Sequence, residues 1–241
     1  MKIEILFPEI AGLYGDLSNV KYLGQCLKDA EIVYTNLDKE PSFVSEEISM
    51  IYMGGMTEKK QEIVIEKLMP YKEAILEQIK KNTIFLVTGN ALEIFGSYIE
   101  KDDKSQIEGL GIFSIYAKRE MFNRYDSLVL GEFEDMKIVG FKSQFSHSYG
   151  DNKEKKFDEY FYKVIRGAGL NPDSDLEGIR RNNFFGTYTL GPLLVLNPYF
   201  TKYLLKLLGV EEPVLAFEEA NIDAYETRLA EFEKETIKFS Y

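Results

Sequence analysis

The chain has 241 residues, of which 45% are apolar and 29% charged, and its formal net charge is −11. This composition supplies enough apolar material for a packed core and excludes intrinsic disorder. The negative charge disfavours nucleic-acid binding, because the chain has no basic stripe to offset repulsion from phosphate. At this length we expect one α/β domain over residues 1–241.

Cysteine and histidine are scarce in this sequence. The chain contains one of each, too few for an intrachain disulfide or for the usual nitrogen and sulfur metal sites. We therefore expect a reducing compartment, the cytoplasm, and neither a metal nor another cofactor. The N-terminal segment 1–13 has only a short apolar run, broken by Glu4, Pro8 and Glu9. Neither a signal peptide nor membrane insertion is expected from it.

In the first hundred residues, short apolar runs rich in β-branched residues alternate with helical patterns. The predicted strands cover residues 2–7, 31–36, 49–53 and 83–88. Helices are predicted between them over 17–30, with Asp16 as N-cap, and over about 57–81. This alternation predicts a mostly parallel sheet with helices on both faces.

The pattern changes over residues 109–142, where strand-like segments are separated by Gly or acidic turns. We predict an antiparallel extension of the sheet there, followed by strands around 159–166 and 183–189. Apolar spacing predicts a helix over about 198–208 and another over 217–237. The last helix has an apolar stripe and is expected to pack on its own domain, with partner binding as the alternative.

Residues 84–96, IFLVTGNALEIFG, form a pattern of a buried strand, a tight Gly-containing turn and a short helix. This is the layout of a nucleophile elbow, in which strained backbone holds a reactive side chain at the mouth of a sheet. Many α/β proteins have such junctions, so the segment alone is weak evidence. Three further segments make the set specific: YMGGMTE at 52–58, EGLGIFSIY at 108–116 and NNFFGTYTLGPLL at 182–194.

Together these segments resemble the CobB/CobQ-type glutamine amidotransferase domain. Within that family they are most similar to the glutaminase subunits that act in cell-wall amidation. LYGDLSNV at 13–20 and FNRYDSLV at 122–129 are similar to the corresponding segments of those subunits. The resemblance runs through most of the chain. It implies a class I glutamine amidotransferase-like, flavodoxin-like α/β fold.

In that family the elbow carries a cysteine nucleophile and the late segment carries a histidine base. GNALEIFG at 89–96, aligned on its closing glycine, has Gly89 at the cysteine position and Glu93 in place of a glutamine. FGTYTLGP has Leu190 at the histidine position. Glutamine hydrolysis needs a thiolate to attack the amide and an imidazole to activate that thiol and protonate the departing ammonia. Neither Gly89 nor Leu190 can supply these groups.

No other residue is expected to replace the missing pair. Cys26 lies beside the apolar stripe of the first predicted helix and is interpreted as core filling. His147 is expected in an exposed polar loop, with a relocated functional group as the alternative. Thr88 precedes Gly89 and should point to the other side of the strand. Glycine at 89 would relieve the roughly 1–3 kcal/mol of strain that an elbow imposes on other residues, as expected if the fold was kept and the reaction lost.

The rest of the pocket is predicted to persist. The resemblance places Gly54 and Gly55 in the loop whose backbone N–H groups line the oxyanion hole, although a simple tight β-α turn would also use two glycines. It also places Arg124 at a functionally important arginine. Together with Asn90 and Glu93, these residues form the candidate pocket. A carboxylate at Glu93 would repel the α-carboxylate of glutamine if it lined that pocket.

Three functions are compatible with this sequence. The resemblance implies a non-catalytic amidotransferase-like subunit that partners a Mur-ligase-type protein in an amidation or ligation step. Cell-wall chemistry is favoured by overall likeness, with cobalamin-type amidation as the other branch. A second function is a hydrolase or transferase that reuses the pocket through Glu93 with Arg124, or through His147. A third is a sensor that binds an amino acid or nucleotide as a small-molecule ligand without turnover.

Overall fold

Residues 1–150 and 158–240 are described by the computed structural model of the chain. The strands are β1 (Lys2–Leu6), β2 (Glu31–Thr35), β3 (Met50–Met53), β4 (Ile84–Thr88), β5 (Tyr98–Glu100), β6 (Gln106–Glu108), β7 (Ile115–Arg119), β8 (Tyr125–Phe133), β9 (Met136–Gln144), β10 (Ser146–Gly150), β11 (Tyr162–Arg166), β12 (Leu176–Glu177), β13 (Ile179–Arg181) and β14 (Phe184–Thr187). The helices are α1 (Ser18–Cys26), α2 (Glu58–Leu68), α3 (Lys72–Lys80), α4 (Leu193–Leu196), α5 (Pro198–Leu207) and α6 (Glu218–Phe232).

A six-stranded sheet in the order β13-β14-β4-β3-β1-β2 forms the centre of the fold. All its pairings are parallel except that of β13 with β14 at the edge. The carboxyl ends of β3, β4 and β14 are therefore neighbours at one end of the sheet. The segments that follow these three strands carry Gly55, Gly89 and Leu190, so the topology brings them together.

Helices cover both faces of this sheet, which confirms the prediction. Alternate residues of β3 and β4 point to opposite faces and belong to separate apolar clusters. On one face Ile51 and Val87 pack with residues of α2 and α3. On the other, Met50 and Leu86 pack with residues of α1 and α5.

The predicted antiparallel extension is present, but it consists of two four-stranded sheets, β10-β7-β5-β6 and β12-β11-β8-β9. No strand lies over residues 109–114, where Gly109 packs against the backbone of Gly96 and Gly111 has a positive φ of 60°. The long β8–β9 hairpin supports α6, whose Tyr225 and Phe232 are buried in a cluster with residues of both strands. The C-terminal helix thus packs on its own chain.

Two predicted helices differ from those observed. The helix expected over 57–81 is divided into α2 and α3 by a 3₁₀ turn at Met69–Tyr71, because Pro70 lacks the N–H that a continuous helix requires. The helix expected over 17–30 ends at Cys26, and Asp16 is not its N-cap. Among residues 1–150 and 158–240, no helix is both long and apolar enough to cross a bilayer.

Candidate functional site

A cavity of about 220 Å³ opens at the carboxyl ends of β3, β4 and β14. The predicted positions Gly55, Gly89, Asn90 and Leu190 all line it. The remaining lining residues are Leu13, Tyr14, Met56, Thr57, Glu58, Ser143, Gln144, Phe145 and Tyr188. The structure thus joins segments that are distant in sequence into one site, as the resemblance implies.

The elbow has the backbone geometry predicted for it. β4 ends at Thr88, and a 3₁₀ helix begins at once with Gly89, whose φ is +62°. A Cβ atom at this position would lie 3.0 Å from the Cα of Gly55 and 3.5 Å from Leu190 Cδ2. A side chain at 89 would therefore face Gly55 on one side and Leu190 on the other. Leu190 is thus close enough to contact a nucleophile at position 89, but its side chain can neither accept nor donate a proton.

The backbone N–H of Gly55 is already hydrogen-bonded within the chain. It donates to Asp16 Oδ2 at 3.2 Å. The Asp16 carboxylate is 1% exposed, and it also accepts from Thr88 Oγ1 and, at 2.8 Å, from Asn19 Nδ2. Burial raises the pKa of Asp16, against the lowering effect of these hydrogen bonds. Asp16, predicted as a helix cap, instead links the first loop to the loop after β3.

Gly54 needs to be glycine because the backbone of another loop comes close to it. A Cβ atom there would lie 2.8 Å from the carbonyl oxygen of Ala11 and 3.0 Å from Asp16 Oδ2. Gly54 is buried, and unlike Gly55 it does not line the cavity. Gly54 therefore allows the close approach of the neighbouring loop, whereas Gly55 forms part of the cavity wall.

Asn90 holds two of the cavity loops together. Its Oδ1 accepts from the N–H of Met56 at 3.0 Å, and its Nδ2 donates to the carbonyl oxygen of Met56 at 2.8 Å. Both ends of the amide are thus used within the chain. Asn90 contributes to the wall of the cavity and fixes the elbow against the loop after β3.

Glu93 lies beneath the cavity instead of lining it, which corrects the expectation from sequence. Its carboxylate is buried and accepts hydrogen bonds from Gln61 Nε2 and Tyr188 OH, both at 2.9 Å, and from Ser146 Oγ. Burial raises its pKa, although these hydrogen bonds and the charge of Arg119 act in the other direction. The proposed repulsion of a bound carboxylate by an exposed Glu93 is therefore removed.

Arg124 is exposed at the rim of the cavity. Its guanidinium donates to Tyr14 OH and lies 5.3 Å from the centre of the Phe145 ring. Its Nε is 3.8 Å from a carboxylate oxygen of Asp126. Tyr14 and Phe145 line the cavity whereas Arg124 does not, so Arg124 contacts the site through these two rings.

The other candidate groups lie outside the cavity lining. His147 is on β10, partly buried and paired with Lys118 of β7, so the expectation of an exposed loop is wrong. Burial lowers its pKa. Cys26 is the last residue of α1, and its Sγ accepts from the N–H of Ala216 at 3.3 Å. Thr88, as expected, does not face the cavity and donates to Asp16.

Sequence reasoning missed several residues of the site. Tyr14 has a positive φ of 57° and presents its ring to the cavity, while Ser143, Gln144 and Phe145 come from the end of β9 and the link to β10. Of these residues, only Tyr14 lies in a segment that carries the family resemblance, LYGDLSNV at 13–20. The contribution of β9 has no local signal, since it depends on how the hairpin packs against the main sheet.

The central sheet, the elbow after β4 and the glycine loop after β3 define the class I glutamine amidotransferase-like fold. Two solved structures support this assignment at the level of the fold. A glutamine amidotransferase crystal structure has a TM-score of 0.54 at 14% identity and covers 86% of this chain and 99% of that one. A glutamine amidotransferase from Thermotoga maritima has a TM-score of 0.52 at 10% identity and covers 94% of this chain and 92% of that one.

Residues 2–197 match the model of the CobB/CobQ-like glutamine amidotransferase domain, and the chain belongs to that family. Two curated relatives are each named lipid II isoglutaminyl synthase (glutamine-hydrolyzing) subunit GatD. The one from Streptococcus pneumoniae is 25% identical over 229 residues, which cover 91% of this chain and 86% of that protein. The one from Staphylococcus aureus is 26% identical over 213 residues, which cover 88% and 85%.

Proposed function

We propose that this chain is a catalytically inactive amidotransferase subunit that assembles with a Mur-ligase-type protein in a cell-wall amidation or ligation step. The observation that carries the proposal is the pair Gly89 and Leu190. Gly89 occupies the strained first position of the elbow, and Leu190 lies 3.5 Å from where its Cβ would be. These residues provide neither a nucleophile nor a base for attack on an amide.

The hydrogen bond between Asp16 and Gly55 supports the same conclusion. An oxyanion hole needs N–H donors that are free to bind the charge developing on the reacting oxygen. The N–H of Gly55 already faces a buried carboxylate. A negative oxygen at that donor would displace Asp16 and be repelled by it.

The assembly part of the proposal rests on the relatives. Both are named as subunits of lipid II isoglutaminyl synthase, and this chain covers most of their length. The surface near the cavity also has apolar side chains suited to contact with a protein. Phe122 is fully exposed and lies two residues from Arg124, and Leu13 and Tyr14 at the cavity mouth are also exposed. Burial of such side chains against a partner would be favourable.

The test is ammonia release from glutamine by the purified chain, alone and with a Mur-ligase-type protein from the same genome. A Gly89→Cys/Leu190→His double variant and the two single variants are assayed in parallel. We expect no release from the native chain in either condition, release from the double variant, and none from Leu190→His alone. Co-purification of the native chain with the ligase-type protein tests assembly separately.

Turnover of glutamine by the native chain would contradict the inactive assignment. Failure to co-purify would contradict the assembly, whatever the outcome of the glutamine assay. In the double variant, the Cβ of residue 89 would lie close to Gly55, so the placement of the new thiol is checked separately. The check measures how fast this thiol reacts with an alkylating reagent. A thiol that reacts faster with Leu190→His than without it confirms that the elbow presents it beside the imidazole.

A further inference from the structure

β2 is an edge strand of the central sheet, and its outer side is open. It pairs with β1 alone, over all five of its residues and without a shift in register. Its sequence, EIVYT, contains neither the proline nor the lysine that often blocks an exposed edge, and the strand has no bulge. Such an edge presents a regular row of backbone donors and acceptors to another strand.

The unpaired backbone groups of β2 can be assigned to particular residues. The N–H of Glu31 donates to the carbonyl oxygen of Met1 at 3.0 Å, so Glu31 faces β1. Because successive residues of a strand direct their N–H and C=O groups to opposite sides, every second residue from Glu31 onward also faces β1. Ile32 and Tyr34 therefore direct theirs away from the sheet, and nothing in residues 1–150 and 158–240 hydrogen-bonds to them.

Four of the five other sheet edges are covered. At β9, β10, β12 and β13 an adjoining segment forms a backbone hydrogen bond to the edge strand. The residues bonded in this way are Leu190 and Phe141 at β9, Ser148 and Leu170 at β10, Leu170 and Leu176 at β12, and Arg180 and Glu159 at β13. β6 is open but has only three residues. β2 is therefore the longest open edge in the part of the chain that the structure describes.

β2 is complementary to itself when two copies run antiparallel with the two-fold axis at Val33. Ile32 of each copy then lies opposite Tyr34 of the other, and both direct their backbone groups outward. Each of these two pairs exchanges two hydrogen bonds, as in a regular antiparallel ladder. Glu31, the one charged residue of the strand, lies opposite Thr35 and meets no like charge.

The same register suits the side chains. Tyr34 is 53% exposed, and Ile32 and Val33 are partly exposed. The pairing places the Tyr34 ring beside the β-branched side chain of Ile32, a combination that stabilises sheets. An axis at Ile32 or at Tyr34 would also align the outward groups, but it would leave two residues of the strand without partners. Only the axis at Val33 pairs all five.

We infer that the chain forms a two-fold homodimer through antiparallel pairing of β2, which joins two central sheets of six strands into one of twelve. The interface is separate from the cavity, because β1 lies between β2 and β3 and no residue of β2 lines the cavity. The partner of this edge is a second copy of the chain, so the inference rests neither on the proposed function nor on a ligase-type protein.

The mass of the purified full-length chain in solution gives the first test. Sedimentation velocity should show 27.8 kDa at low concentration and twice that mass at high concentration. Val33→Lys sets two ammonium groups against each other at the axis and should raise the dissociation constant of the dimer by about tenfold or more. Ile63→Lys is the matched control, since Ile63 is 44% exposed on α2, and it should dimerise as the native chain does.

Disulfide crosslinking tests the register. In a Cys26→Ser background, Val33→Cys places two thiols at the axis, where the Cα atoms of a non-hydrogen-bonded pair are about 4.5 Å apart, within the range of a disulfide. Glu31→Cys is the control on the same face of the strand, because its two copies would be about 14 Å apart. We expect oxidation to link Val33→Cys into a covalent dimer and to leave Glu31→Cys unlinked.

Two results would overturn the inference. One is a mass of 27.8 kDa for the native chain at every concentration. The other is equal crosslinking of the two cysteine variants, or none in Val33→Cys. If Val33→Lys fails to fold, the cysteine variants still decide the question. Binding to a ligase-type protein and glutamine turnover are measured separately, so the proposed function can fail while this inference holds, and the reverse.

Discussion

Asp16 Oδ2 accepts a hydrogen bond from the N–H of Gly55 across 3.2 Å, and this contact joins the loop before α1 to the loop after β3. The N–H involved belongs to the loop that the family resemblance assigns to the oxyanion hole. A donor held by a buried carboxylate cannot stabilise a second negative oxygen without breaking the first contact. In the inactive subunit that we propose, the site keeps the backbone of an amidotransferase while its electrostatics oppose glutamine hydrolysis.

Replacing Asp16 by alanine should lower the free energy of unfolding by about 1–3 kcal/mol. The reason is that the buried N–H of Gly55 loses its acceptor, while Thr88 and Asn19 keep a second partner in Tyr52. Urea denaturation at pH 7 measures the change. Asp29→Ala, at an exposed aspartate, is the matched control and should stay within about 0.5 kcal/mol of the native chain. A similar small effect at Asp16 would show that water replaces the carboxylate.

The order of strands and helices in the first hundred residues could be predicted from the sequence, because buried parallel strands are continuous apolar runs that stand out between helices. The elbow glycine could be predicted too, since it depends on local backbone geometry. The position of the Glu93 side chain beneath the cavity could not be predicted from the sequence. Its position after the elbow suggested the pocket, but the 3₁₀ helix at Gly89–Phe95 turns its side chain inward toward Gln61 and Tyr188.

Gly89→Ala should destabilise the chain by about 1–3 kcal/mol. The φ of +62° is unfavourable for a residue with a Cβ, and that atom would lie 3.0 Å from the Cα of Gly55. Gly24→Ala is the control, since Gly24 is within α1 and nothing lies within 4 Å of its Cβ position. That change should raise stability by up to about 1 kcal/mol. Thermal or urea unfolding should show a loss of stability for Gly89→Ala and a gain for Gly24→Ala. An unchanged stability of Gly89→Ala would contradict the interpretation that the elbow backbone is strained.

A buried ion pair beneath the late segment could not be predicted from sequence either. Lys142 Nζ contacts Glu177 Oε2 and donates to the carbonyl oxygen of Ala168 at 2.8 Å, and both charged side chains are fully buried. Glu177 Oε1 in turn accepts from the N–H of Tyr188 at 2.8 Å, which fixes the start of the segment that leads to Leu190. Lys142 and Glu177 are 35 residues apart, and nothing local marks them as partners.

Lys142→Met should therefore cost about 3–5 kcal/mol, because it leaves the carboxylate of Glu177 buried without its counter-charge. Lys137→Met, on the same strand, removes the exposed contact with Glu132 and should cost less than about 1 kcal/mol. Urea unfolding of both variants gives the comparison. Comparable losses at the two positions would mean that water reaches Glu177.

Glu93→Gln should change the way in which stability depends on pH. Burial raises the pKa of Glu93 above its ordinary value of 4.5 in the folded chain, so the folded state holds this proton more tightly than the unfolded state. The resulting stabilisation is present below about pH 4.5 and is lost as the pH rises through the folded-state pKa. A glutamine has no such titration and keeps an oxygen that can accept the hydrogen bond from Gln61. The stability of the variant relative to the native chain should therefore increase from pH 5 to pH 8, by about 1.4 kcal/mol for each unit by which the pKa is raised.

Urea denaturation at both pH values measures this difference in stability, with Glu108→Gln, at an exposed position on β6, as the control. A difference that stays constant with pH would show that Arg119 and the three hydrogen-bond donors fully compensate the burial of this carboxylate.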